Sequence, residues 1–218
     1  MKNDQKQLLS AFGTSALVVG MMIFIHLYGY FLKEDFTAYG IEPRTFSGLF
    51  GLINAPFIHG SFQHLFSNVP PFFVLMAGIL YYYKEISFKV ILGIFALTNI
   101  WVWLFARHSI HIGASGILYG FAFFLFFSGV WRKNKNALRI SLAVALFYGG
   151  LVQGIFPSDP HISWESHLCG AIAGTFLAYI TRNQGPKADP PYWQNEAEVE
   201  TGIWDYKNGE PPEGFIYK

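Results

Sequence analysis

Six stretches of mainly apolar residues, about 8 to 32, 63 to 83, 88 to 106, 114 to 131, 138 to 156 and 165 to 181, are separated by polar breaks along the chain. Each approaches the roughly 20 apolar residues that a helix needs to cross a bilayer. The segment from Lys33 to Phe62 is too polar at its start and too broken by Gly40, Pro43, Gly48, Pro56 and Gly60 to span. The pattern predicts an all-α, polytopic membrane protein of six transmembrane helices with a long first outer loop. The run Leu8 to Leu32 is too long for a signal-peptide core and lacks a small-residue cleavage site, so it is expected to be retained as the first helix.

Composition agrees. Of 218 residues 52% are hydrophobic and only 13% charged, against roughly 25% charged in soluble domains. The net charge of +1, spread among loops, argues against nucleic acid as a partner. The single cysteine, Cys169, excludes an intramolecular disulfide. With the N-terminus inside, the inner flanks carry Lys2, Lys6, Lys84, Lys89, Arg132, Lys133, Lys135, Arg139, Arg182 and Lys187, and the outer loops only Lys33, Arg44 and Arg107. That bias places both termini in the cytoplasm. Three divisions follow: a short cytoplasmic N-terminus over 1–7, a six-helix domain over 8–182, and a tail over 183–218. The tail loses the apolar runs and carries Pro-Pro pairs and an acidic excess, and is expected to be a disordered cytoplasmic segment. Its aromatics, Tyr192, Trp193, Trp204, Tyr206, Phe215 and Tyr217, suit docking at the membrane interface as the alternative.

Polar residues inside the apolar runs are where chemistry is to be sought, since an unpaired donor or acceptor in hydrocarbon costs several kcal/mol. In this topology the second, fourth and sixth segments all run from outside to inside. Asn68 lies 16 residues before Lys84, Ser115 17 before Arg132 and His167 15 before Arg182. At about 1.5 Å rise per residue they stand about 24, 25 and 22 Å above the inner edge. All three fall in one layer beneath the outer surface, with His64 one turn above Asn68. A cavity open to outside water would satisfy them, and hydrolysis needs the same cavity.

A serine hydroxyl must lose its proton to a base as it attacks, and His167 is the best-placed base for Ser115. With no acid on its helix to orient it, Glu165 facing elsewhere, the expected arrangement is a Ser-His dyad. His64 and Asn68, at i and i+4, share one helix face and can donate to an oxyanion beside the Ser115 backbone N-H. Ser115 opens its helix, where free N-H groups favour negative charge. Gly113 and Gly116 allow close backbone approach, and Tyr119, one turn on, would pack against the imidazole.

Together, His64-Leu-Phe-Ser-Asn68, Gly113-Ala-Ser115-Gly116 with Tyr119, and His167-Leu-Cys-Gly170 with Gly174 resemble the rhomboid intramembrane serine proteases. The resemblance spans residues 8 to 182. It implies a rhomboid-like bundle with Ser115 as nucleophile, His167 as general base, and Ser115 N-H, His64 and Asn68 around the oxyanion. Gly170 and Gly174 would let the fourth and sixth helices approach. It further implies transmembrane proteins as substrates, the lipid bilayer as medium, no metal or nucleotide cofactor, and substrate entry governed by the second and fifth helices with the loop before the sixth. A bacterial plasma (inner) membrane, with the site open to the outer side, is the expected location. The chain departs from the pattern where some bacterial members carry a Trp-Arg pair, 14 residues before His64. Phe50-Gly51 stand there, and the nearest arginine is Arg44. Pro70 and Pro71 deprive the carbonyls of Phe66 and Ser67 of helical partners, which predicts a kink in the second helix.

Other readings remain open. Gly-Ala-Ser-Gly alone suits helix packing, and Gly170 to Gly174 is a plain small-xxx-small face. His26, His59, His108, His111 and His161 are expected to serve structure, and Glu42, Asp159 and Glu165 to be solvated. An inactive relative that binds transmembrane segments, or a small-solute transporter using the same polar layer, are the alternatives. The transporter would be expected to show inverted halves or broken helices.

Overall fold

The computed structural model describes residues 3–157 and 162–189. Among these, seven α-helices follow one another: α1 (Asn3–Leu32), α2 (Gly48–Asn54), α3 (Phe62–Tyr82), α4 (Ser87–Phe105), α5 (Ser115–Trp131), α6 (Lys135–Tyr148) and α7 (Trp164–Ile180). No strand is formed among the described residues; one isolated bridge pairs Ile41 with His111. The six longer helices occupy the six apolar stretches. α1, α3, α4 and the stretch Lys135–Ile155 are long and apolar enough to cross a membrane. Most of the tail, residues 190–218, and the loop residues Asp159 and His161 lie outside the described residues.

α5 is the axis of the bundle. A helix apolar all round has no face for water and belongs in the interior, and 11 of its 17 residues are buried. α7 packs along it, with α6 and α3 on its other sides; α4 backs onto α7, and α1 onto α3. At 17 residues, α5 and α7 each rise only about 25 Å. That is short of the ~30 Å hydrocarbon layer, so the loop that feeds α5 must lie within membrane depth. Non-helical backbone is tolerated there only when protein covers it. The first loop supplies the cover: Ile41 and His111 exchange backbone hydrogen bonds of 2.9 and 2.8 Å, and Gly113 N donates to Ala55 O at 2.8 Å.

The same loop is pinned to α4. Arg44, in the left-handed region (φ 61°), donates from Nη1 to the carbonyls of Leu104 and Ala106 at 3.1 and 2.8 Å. A cation at a helix C-terminus satisfies orphan carbonyls and meets the negative end of the dipole. Asn99 Nδ2 and Trp103 Nε1 donate back to Leu52 O and Thr45 O at 2.8 and 2.9 Å. The first loop, expected as a broken connection, is therefore a folded layer containing α2.

Two further expectations are corrected. The fifth segment, read as helical from 138 to 156, begins at Lys135, where Asn134 Oδ1 accepts from Ala137 N at 2.9 Å. Its α-helix ends at Tyr148, and Gly149–Ile155 continues as a 3-10 helix; two successive glycines weaken an α-helix where it ends. Glu165, expected to be solvated, is buried, because Arg107 Nε meets its Oε1 at 3.4 Å and a buried carboxylate needs such a partner. α3 continues through Pro70 and Pro71 to Tyr82 without interruption.

Candidate active site

Ser115 is the first residue of α5 and His167 the fourth of α7, and their meeting is set by glycines in the seam between the helices. A Cβ on Gly170 would fall on the carbonyl oxygen of Gly116, and one on Gly174 on that of Gly120. A Cβ on Gly116 would stand 2.9 Å from the Ser166 carbonyl oxygen. Backbone thus lies against backbone along two turns. Gly120, one turn after Gly116, belongs to this seam, and its i+4 spacing was the signal that the sequence reading passed over.

At the upper end of the seam His167 Nε2 lies 2.9 Å from Ser115 Oγ. Its other nitrogen, Nδ1, lies 2.9 Å from the carbonyl oxygen of Gly154. A carbonyl can only accept, so Nδ1 carries the proton and the Nε2 lone pair faces the serine hydroxyl. The ring is held flat against Tyr119, with centroids 4.1 Å apart and planes 4° from parallel. Gly154 is a site residue that sequence reasoning missed. A main-chain carbonyl serves whatever the side chain, so no residue type marks the position.

His64 and Asn68 come from α3, whose first turn is capped by Ser61 Oγ accepting from His64 N at 3.1 Å. Asn68 Nδ2 donates to His64 O at 2.8 Å, which fixes the amide's orientation. Asn68 is 3% exposed, and its Oδ1 is buried with no hydrogen-bond partner. The His64 ring lies against the Gly113 backbone: a Cβ on Gly113 would stand 2.6 Å from Cε1 and 2.7 Å from Nε2. Gly113 also adopts φ +98°, so it is required on both counts. Ser115, His167, His64, Asn68 and Tyr119 line one cavity of about 750 Å³.

The loop before Ser115 is tied to the start of α7. His111 Nε2 faces the Arg107 carbonyl at 3.1 Å and must donate, leaving Nδ1 to accept from Ser163 Oγ at 2.5 Å. Ser163 Oγ in turn caps α7, accepting from Ser166 N at 3.4 Å.

The family model of the Rhomboid domain matches residues 47–184. The chain belongs to the rhomboid family. The match takes in His64, Asn68, Ser115 and His167 and begins after α1. Uncharacterized proteins of Mycobacterium tuberculosis and Mycobacterium bovis are each 31% identical to it over 183 residues, covering 77% of this chain and 74% of theirs. An uncharacterized protein of Mycobacterium leprae is 28% identical over 174 residues, 74% of this chain and 68% of its own. Like the family, the chain is a multi-pass membrane protein. Among the described residues no group of three or more His, Cys, Asp or Glu side chains is placed to hold a metal ion.

Proposed function

We propose that this rhomboid is an active intramembrane serine endopeptidase that hydrolyses peptide bonds in or near the transmembrane segments of other membrane proteins. The observation that carries the reading is the 2.9 Å approach of Ser115 Oγ to His167 Nε2 with Nδ1 engaged by the Gly154 carbonyl. That is a nucleophile beside a base already in its accepting tautomer. Ser115 Oγ attacks the scissile carbonyl carbon while Nε2 takes its proton. The oxyanion would develop beside the N-terminal end of α5, with the Ser115 N-H and the His64 ring as donors; Asn68 Nδ2, which donates to His64 O at 2.8 Å, joins them only by releasing that bond. The imidazolium then protonates the leaving amine, and water, activated by the same nitrogen, attacks the acyl-enzyme carbonyl and frees Ser115. Gly154 O stands where triads place a carboxylate, and without a charge it orients the ring with less electrostatic support for the imidazolium.

The orientation with both termini in the cytoplasm and the cavity open to the outer side of a bacterial plasma membrane belongs to this reading. It rests on the Lys and Arg distribution.

The test is cleavage of a helical membrane substrate in proteoliposomes by the native chain and by Ser115→Ala. Cleavage is expected to be abolished in the variant while thermal stability persists, and a fluorophosphonate is expected to label Ser115 of the native chain alone. Native chain that neither cleaves nor labels would identify an inactive relative; cleavage retained by Ser115→Ala would remove the mechanism.

A further inference from the structure

A second cavity, of about 510 Å³, lies at the end of the bundle away from Ser115, between the start of α1 and the turn from α3 to α4. Two cations stand in its wall, Lys6 and Lys84, and among the described residues neither is in an ion pair. The nearest acids in the chain, Asp4 and Glu85, do not line it. Gln7 Nε2 donates to Tyr81 O at 2.6 Å, which clamps the α1 wall to the end of α3. Ser87 Oγ donates to Lys84 O at 3.1 Å, which closes the turn that carries Lys84. α1 has 30 residues and rises about 45 Å, against ~30 Å of hydrocarbon, so its first turns stand among headgroups. Lys6, Ser10 and Thr14 follow one another at i, i+4 and i+8 on the cavity side of α1, each about 6 Å deeper than the last. Elsewhere Thr175 and Thr181 return their hydroxyls to helix carbonyls at 2.8 and 2.7 Å. Among the described residues the Ser10 and Thr14 hydroxyls make no such bond and open into the cavity. An unanswered hydroxyl at membrane depth is costly. Above them the wall turns apolar with Leu80 and Phe88. Phe88 and, one turn on, Leu92 are exposed. α1 and α4 both pack on α3 and barely on each other, which leaves a furrow between them that leads toward the bilayer centre.

We propose that this cavity is a binding site for one acidic phospholipid. Lys6 and Lys84 pair with the phosphodiester, Ser10 and Thr14 donate to the ester carbonyls, and an acyl chain lies along Phe88 and Leu92. Cation, hydroxyl and apolar surface succeed one another with depth in the order in which a phospholipid presents phosphate, ester and chain. A soluble phosphate would answer the two lysines and leave the hydroxyls and the furrow without a partner. The orientation given above puts the site in the cytoplasmic leaflet, where basic pockets between helices meet acidic headgroups. α1 rests chiefly on α3, and a lipid seated between α1 and α4 joins it to the rest of the bundle. The bound lipid therefore stabilises the fold by mass action. The site is separate from the cavity at Ser115 and holds whether or not that serine is active.

The full chain in a neutral detergent is titrated with phosphatidylglycerol, with phosphatidylcholine of the same chains, and with glycerol phosphate, and followed by native mass spectrometry and thermal unfolding. One phosphatidylglycerol is expected to bind about tenfold or more tightly than phosphatidylcholine and to raise the melting temperature, with glycerol phosphate giving no protection. Lys6→Gln with Lys84→Gln is expected to bring phosphatidylglycerol down to the strength of phosphatidylcholine, and Lys6→Arg with Lys84→Arg to keep the preference. Lys133→Gln with Lys187→Gln removes the same charge from exposed positions outside the cavity and is expected to change nothing. Ser10→Ala with Thr14→Val keeps both cations, so it tests the site even where the glutamine pair fails to fold. It is expected to weaken both lipids severalfold while the preference between them persists. Equal binding of the two lipids by the native chain, or a preference that survives Lys6→Gln with Lys84→Gln, overturns the site. Unchanged binding of both lipids in Ser10→Ala with Thr14→Val overturns the role of the hydroxyls, and glycerol phosphate that protects as well as phosphatidylglycerol overturns the lipid as occupant. Micelles have no sides and no cleavage is read, so these outcomes are independent of the protease reading and of the orientation.

Discussion

Replacing Gly170 by alanine probes the seam that brings the two helices together. The added methyl falls on the carbonyl oxygen of Gly116, and since both are held by helical backbone, neither can swing aside. Restoring an ordinary contact of about 3.5 Å requires α5 and α7 to part by about 1 Å or more. Ser115 is the neighbour of Gly116, and His167 lies one turn from Gly170. The separation therefore reaches the 2.9 Å hydrogen bond between them nearly undiminished. It would stretch that bond to about 4 Å, beyond hydrogen-bonding range. Overpacking of this kind costs about 1–3 kcal/mol of stability, and misplacing reacting groups by about 1 Å costs about a hundredfold in rate. The assay pairs substrate cleavage in proteoliposomes with thermal unfolding in detergent. Gly78→Ala serves as control, because its methyl meets only Leu125 Cδ1 at 3.9 Å and Gly to Ala within a helix gains up to about 1 kcal/mol. Gly170→Ala is expected to lose activity far more steeply than stability, with Gly78→Ala unaffected. Gly170→Ala cleaving at the native rate would refute the claim that the glycine seam sets the distance between hydroxyl and imidazole.

Two predictions concern the supports of the bundle. At the end of α5 away from Ser115, the buried Arg132 donates from Nε to Ser128 Oγ at 2.7 Å and from Nη2 to Thr181 O at 2.8 Å. Its Nη1 donates to Arg182 O at 3.1 Å and to Gln184 O, and its guanidinium lies 5.2 Å from the Tyr83 ring centroid. Arg132→Gln is expected to cost about 2–4 kcal/mol by leaving the carbonyls at the end of α7 without donors. Arg132→Lys should recover little, since an ammonium cannot reproduce the planar fork; a lysine variant as heat-stable as the native chain would contradict this. His59, in the loop before α3, is buried 5.0 Å from the His64 ring centroid. Burial first, and the neighbouring His64 charge second, push it down to about 4. Its folded value lies below the unfolded one, so its contribution is present in full above about pH 6.5 and lost as pH falls toward about 4, up to about 3 kcal/mol. Melting curves in detergent should therefore show His59→Gln with a flatter acid limb than the native chain; identical limbs would refute the assignment.

The six apolar stretches were legible because a bilayer imposes a length and a composition on any helix that crosses it, whatever its neighbours. The polar residues Asn68, Ser115 and His167 stood out for the same reason, and counting from the basic inner flanks put them in one layer. What counting did not reveal lay in groups without a sequence signature or with distant partners. α2 has only seven residues and sits in a loop held by Arg44, Asn99 and Trp103. Glu165 is buried because Arg107, 58 positions earlier in the chain, comes back to meet it.

The chain's own order of apolar and polar residues thus determined how many long helices there are, and that a hydroxyl and an imidazole stand inside two of them, because hydrocarbon penalises each residue singly. Tertiary packing alone decided that α5 and α7 touch backbone to backbone, and that the carbonyl facing His167 belongs to Gly154. Distances of 2.9 Å arise from how whole helices seat against one another, and every residue carries the same carbonyl.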